Sequence, residues 1–150
     1  MRFRSVKARN EMEFPDGWRL SWDVADGVPL LFDKKKGFLP LSRDHANVIF
    51  STKPLMLQLR SGPFERQVPL TKLPITVRDI LETMRAWYLK PVEAHHWKVF
   101  DESGHQHYWN IKPRSFVRRM AQFQGSHVQF EGFKVTRGTS PLLIEPTFGS

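Results

Sequence analysis

No cysteine occurs among the 150 residues, and its absence removes disulfides, thiolate zinc sites, iron–sulfur clusters and cysteine nucleophiles together. Tyrosine is nearly missing too, with 2 residues against 12 Phe and 5 Trp. The rings available to a core are therefore almost all apolar, and each can bury on the order of 150–250 Å². Long apolar runs are absent: uncharged stretches such as HANVIFST and GTSPLLI fall far short of the roughly 18 apolar residues of a membrane span. No hydrophobic secretory segment opens the chain. These absences predict an intracellular protein, cytoplasmic or nuclear, with no membrane partner. Four basic residues precede Glu11, Glu13 and Asp16, and that early acidity runs against a mitochondrial presequence.

Acidic residues are also in deficit, 15 against 23 basic, for a net charge of +8. Such a surface attracts polyanions. The basic residues gather at Arg2 to Arg9, Lys34 to Lys36 and Lys112 to Arg119, and each group reads equally as a solvated face. Among the 9 glycines none forms GxxxxGK or GxGxxG, so no phosphate-cradling loop is present. GxSxG is missing as well. QGSHV sets a serine beside a histidine, where the two side chains of a regular strand point apart and cannot share the hydrogen bond of a triad.

The length is that of one domain, able to withdraw roughly 70% of its unfolded surface from water. Residues 1–17 show no steady period and read as a partly ordered basic arm, leaving 18–150 as a single domain. GWRLSWDV alternates Trp18, Leu20 and Trp22 against Arg19, Ser21 and Asp23, which is strand spacing. Gly27, Pro29, Gly37 and Pro40 then punctuate either an irregular connection or a short hairpin tipped by Lys34 to Lys36. Those lysines read as a solvated turn. Leu55, Leu57 and Leu59 recur at period two, SGP supplies a turn and FERQVPL a return strand, predicting an antiparallel hairpin.

PITVRDILETMRAWYLKP is a complete helix signal. Thr76 is placed as N-cap with Asp79 three residues on, the capping-box spacing. Val77, Ile80, Leu81, Met84 and Tyr88 make one apolar stripe, and Lys90 before Pro91 ends it. The spacing predicts a helix over 77–90. VEAHHWKVF continues as a short helix stopped by DESG, and RSFVRRMAQF after Pro113 reads as a helix over 114–122 with Phe116, Met120 and Phe123 near one face. SHVQFEGFKV returns to strand spacing, with Val128 and Phe130, then Phe133 and Val135 across Gly132. PLLIEP reads as a last strand. The expected fold class is α+β: an antiparallel sheet of four to six strands with one or two helices packed on one face.

Two constellations bear chemistry. His95, His96, His105 and His107 fall within thirteen residues, and neutral imidazoles with a nearby carboxylate can hold a divalent metal. The spacing matches no HExxH helix, and an exposed polar loop fits as well. The neighbouring carboxylates Asp101 and Glu102 diverge if extended. In HQHYWNIKPRSFVRR, the rings of Tyr108 and Trp109 stand among Lys112, Arg114, Arg118 and Arg119. Stacking faces beside phosphate-neutralising cations suit single-stranded nucleic acid. A half-buried amphipathic segment needs the same mixture.

With Trp22-Asp23, STKP running into Leu55 and Leu57, ITVRDILETM, Arg118 or Arg119 and HVQFEGF in view, the chain resembles a family of uncharacterised domains common in mushroom-forming and related fungi. The likeness spans about residues 18 to 144, and its distinctive part is a helix of the pattern TV-x-D-[VI]-L. The resemblance implies a mixed fold and a fungal origin, and no chemistry. The sequence as a whole points to a non-catalytic binding or interaction module with a protein partner, no catalytic residues and no cofactor. The alternative is a nucleic-acid-binding protein using residues 105–119. A metal-dependent enzyme at the four histidines is the third reading, and oligomeric state is left open.

Overall fold

Leu55, Leu57 and Leu59 alternate along the chain, and all three are buried because they share one face of a strand. A computed structural model describes residues 4–6, 11–13, 19–104 and 114–149. There the leucines lie on β7 (Leu55–Ser61), which pairs antiparallel with β8 (Phe64–Leu70) in the expected hairpin, Ser61 opposite Phe64. Gly62 begins the two-residue turn with φ +56°, the left-handed region that glycine enters without penalty. These strands form one edge of a six-stranded sheet ordered β1-β2-β10-β11-β7-β8. Its other members are β1 (Arg4–Val6), β2 (Glu11–Glu13), β10 (Gln129–Thr136) and β11 (Leu142–Gly149). All neighbours run antiparallel except β11 against β7, which are parallel, with Leu142 opposite Leu55 and Ile144 opposite Leu57.

The pairing of β10 with β11 shifts between Phe130 and Gly132. Gly132 has φ +145°, and the extra residue lets Phe130 and Phe133, three positions apart, both enter the core. Without the bulge the period of two would put one of them outside.

Helix α2 (Val77–Tyr88) lies over this sheet and buries Val77, Ile80, Leu81, Met84, Trp87 and Tyr88. Its start has both halves of the capping box: Thr76 N donates to Asp79 Oδ2 at 2.8 Å, and Asp79 N donates to Thr76 Oγ1 at 3.3 Å. The Tyr88 hydroxyl donates to the Arg60 carbonyl at 3.3 Å, and burial pushes its pKa upward. Tyr88 also meets Phe148 of β11 edge-on, ring centres 5.3 Å apart. The helix is thereby fixed to both sides of the parallel seam.

Helix α3 (Ala94–Glu102) forms where VEAHHWKVF predicts it. The helix expected over 114–122 does not form. Two 3₁₀ turns, Arg114–Phe116 and Met120–Gln124, stand there instead. Between them Arg119 is extended, and the chain bridges to Pro91: Val92 N donates to the Arg118 carbonyl at 3.0 Å and Met120 N to the Lys90 carbonyl at 2.9 Å. Gln122 Oε1 takes the N–H of Arg118 and of Arg119, so helical bonding is replaced by cross-chain and side-chain bonding. Phe116 is consequently 62% exposed, while Val117, Met120 and Phe123 join Phe100 in a small second core.

A second, three-stranded antiparallel sheet comprises β3 (Arg19–Ser21), β4 (Leu30–Asp33) and β5 (Gly37–Pro40). The chain after β3 continues onto the main sheet, with Phe130 N donating to the Trp22 carbonyl at 2.8 Å and Val24 N to the Val128 carbonyl at 3.0 Å. A one-turn helix α1 (Arg43–Ala46) and the strand pair β6 (Ile49–Ser51) and β9 (Ile75–Thr76) complete the elements. The fold is α+β, as expected, with sheets that are antiparallel apart from the β11–β7 pair. No helix of the described residues is long and apolar enough to cross a membrane.

Candidate binding surface

Of the predicted metal residues, His105 and His107 lie outside the described residues. His95 and His96 adjoin at the start of α3, ring centres 4.0 Å apart, but they face different surroundings. His95 is exposed, with Nδ1 3.4 Å from the Glu93 carboxylate. His96 is buried: its Nδ1 accepts from the Glu93 backbone N–H at 2.9 Å, and its ring stands edge-on to Phe64. It therefore fills the N3 position, where a helix-start side chain reaches back to the cap. Burial, then His95 and Lys90, push its pKa down against an opposing pull from Glu93. Among the described residues no three His, Asp or Glu groups converge as a metal site.

Of the predicted nucleic-acid residues, Tyr108, Trp109 and Lys112 lie outside the described residues. Two of the three arginines predicted there, Arg114 and Arg119, have work within the fold. Arg114 forks onto Asp101 through Nη1 to Oδ2 at 3.0 Å and Nη2 to Oδ1, and its guanidinium carbon stands 4.5 Å from the Trp97 ring centre. Arg119 Nη1 donates to the Leu89 carbonyl at 2.8 Å, answering one of the open acceptors at the end of α2. The side chain of Arg118 is exposed and has no hydrogen bond or ion pair among the described residues.

A different surface collects rings and cations. The three-stranded sheet has rows in register: Arg19, Phe32 and Phe38; then Leu20, Leu31 and Leu39; then Ser21, Leu30 and Pro40. The middle row faces inward, with Leu20 and Leu31 buried and Leu39 packed on the core. The other two rows share the opposite face. An antiparallel sheet with one solvated side ordinarily shows polar residues there. This one presents Leu30, Phe32, Phe38 and Pro40, and Phe38 is 61% exposed. The two phenyl rings are 5.1 Å apart at a 57° tilt, and the Arg19 guanidinium carbon lies 4.9 Å from the Phe32 ring centre.

Beside these rings runs a groove of about 460 Å³, walled by Arg19, Ser21, Phe32 and Phe38 on one side and by Gln129 and Glu131 of β10 on the other. One residue pair beyond the rings, the β4–β5 turn carries Lys34, Lys35 and Lys36, all exposed. Asp33 shapes that turn by accepting from Lys35 N at 2.7 Å and Lys36 N at 3.1 Å. These backbone bonds hold its carboxyl below the usual carboxylate range and leave the lysine side chains to solvent.

Sequence reading located the turn and missed the surface. The signal is F-D-K-K-K-G-F, which brings its two phenylalanines level once a hairpin closes at Asp33 and Gly37, whereas the linear pattern shows only two isolated rings. No protein-family model, curated protein or solved structure matches the chain.

Proposed function

We propose that the chain is a non-catalytic binding module and that the outer face of β3-β4-β5 is its binding surface. The observation that carries this reading is the apolar character of the two outward rows, Phe32 with Phe38 and Leu30 with Pro40. Ring surface left in water on one sheet face forgoes on the order of 25 cal/mol per Å² of burial, and grouped apolar surface of this kind marks interaction sites. The chemistry of catalysis has no comparable grouping among the described residues. Glu93 with His95 and Asp101 with Arg114 are exposed pairs, and Arg60 joins Glu65 and the partly buried Glu145 at the sheet surface. The Ser42 hydroxyl that meets His45 Nδ1 at 2.6 Å lies exposed at the start of α1.

The test is site-specific photo-crosslinking in cells, with a benzoylphenylalanine at position 38 and a control at Thr139, an exposed turn residue at the opposite end of β10. Discrete adducts at position 38 that are absent from the control support the reading. Equal labelling at the two positions, or none at position 38, overturns it.

A further inference from the structure

We infer that the groove beside Phe32 and Phe38 takes single-stranded nucleic acid, with bases stacked on the rings and phosphates held by Arg19 and the Lys34–Lys36 turn. This inference rests on the proposed binding surface and names its partner.

Four elementary requirements of such a site meet here. A single strand offers flat bases to stack, and Phe38 presents a ring that is mostly in water while Phe32, tilted against it, carries a guanidinium plane on its flank. Base–ring and base–guanidinium stacking tolerates any sequence. A strand also brings one charge per nucleotide, and four cations, Arg19 and three lysines, border the rings against the two carboxylates Asp33 and Glu131. Asp33 is already engaged by the turn's own N–H groups. Base edges need hydrogen-bonding partners: Gln129 Nε2 donates to Ser21 Oγ at 3.5 Å, which leaves the second amide N–H, the amide oxygen and the Ser21 O–H to face the groove. Finally, an unstacked base needs room, and about 460 Å³ lies within the roughly 300–1,000 Å³ of small-ligand sites.

Competing occupants fit less well. A second copy of the chain would bring the same cations face to face, which costs energy at an interface. A bilayer takes an apolar face laid flat into its interface, whereas here the rings line a concavity. An acidic peptide shares the charge match but gains nothing particular from planar rings, so a leucine would serve it as well as a phenylalanine.

The experiment uses the full chain and fluorescein-labelled single strands of about fifteen nucleotides, dT and rU, beside a duplex of equal length, read by anisotropy from about 50 to about 300 mM salt. The expected result is single strands bound more tightly than duplex, with affinity falling as salt rises. Phe38→Ala and Phe38→Leu each weaken binding about tenfold and Phe38→Trp preserves it, since stacking needs a ring. The triple variant Lys34→Gln, Lys35→Gln, Lys36→Gln flattens the log–log salt slope by about 2, at about 0.7 for each phosphate that is no longer neutralised. Phe38 and the lysines are exposed, so these variants keep the fold, which their melting curves verify. No binding at about 50 mM salt overturns the inference, and so does binding indifferent to Phe38→Ala. Oligonucleotide silence combined with capture of poly-glutamate or phosphatidylserine vesicles, sensitive to Phe38→Ala, overturns the nucleic-acid assignment while the binding surface stands. Silence toward every probe together with no adduct at position 38 removes both.

Discussion

Arg114 and Asp101 are joined by a two-pronged ion pair across thirteen residues, and Trp97 supports the guanidinium from one face. The pair ties the first 3₁₀ turn to α3. It also uses up a charge that linear reading assigns to a nucleic-acid site. With about half of each side chain exposed, 53% for Arg114 and 47% for Asp101, water and salt screen the attraction. Asp101→Asn should therefore change the melting temperature little. Arg114→Gln should leave affinity for single-stranded oligonucleotides within twofold of the parent, in contrast to the lysine-turn variant. A tenfold loss in the Arg114 variant would return the binding site to residues 105–119.

The helix that anchors the architecture yields two graded expectations. Ile80 is 1% exposed beneath α2, and Ile80→Asp would bury a charge with no partner, costing several kcal/mol, on the order of 3–5. Thr76→Ala removes one half of the capping box and should cost about 1 kcal/mol. Urea titrations give both values. Near-equal effects would mean that the stripe is not what holds the helix to the sheet.

Much of this was legible because it is local. The capping box, the stripe of α2 and the β7–β8 hairpin are each fixed by residues close together in the chain, where periodicity and turn chemistry act directly. The parallel pairing of β11 with β7 joins Leu142 to Leu55, and nothing in either strand's alternation names its partner. The segment 114–122 misled for a related reason. Its spacing of Phe116, Met120 and Phe123 fits a helix, yet the N–H groups of Arg118 and Arg119 go to Gln122 and the Arg118 carbonyl takes the Val92 N–H, so distant bonding outweighed local preference. The ring pair Phe32 and Phe38 was hidden likewise, since it exists only once a hairpin register is chosen.

Gly62 tests how the hairpin turn is held to the second core. Its φ of +56° lies in left-handed space, and a Cβ there would stand 3.1 Å from the Phe123 carbonyl oxygen and 3.2 Å from the Phe123 Cβ. Gly62→Ala thus combines backbone strain with crowding against the second core, for a loss of about 1–3 kcal/mol. Gly138, at φ +84° with open space around it, supplies the comparison, because alanine there meets strain alone. Chemical denaturation should show the Gly62 variant as the less stable of the two. Equal losses would mean that Phe123 shifts freely and that the second core is loosely packed.

His96 should give the fold a pH dependence of definite sign. Its Nδ1 accepts from the Glu93 N–H, a role open to the neutral ring and closed once that nitrogen is protonated. Burial, His95 and Lys90 lower its pKa from an ordinary value near 6.5. Between that lowered value and about 6.5 the unfolded chain binds more protons than the folded one, so stability must rise with pH across the interval. The contribution is fully present above about 6.5 and is lost as the pH falls through the interval toward the folded value. Melting temperatures from about pH 5 to pH 7.5 should climb and then level for the parent chain. In His96→Gln a neutral acceptor remains at the N3 position with nothing to titrate, and the climb should be shallower by the share that His96 supplies. Two profiles that run parallel throughout would show that the proton reaches His96 as easily in the folded chain as in the unfolded one, which its burial and its bond to Glu93 forbid.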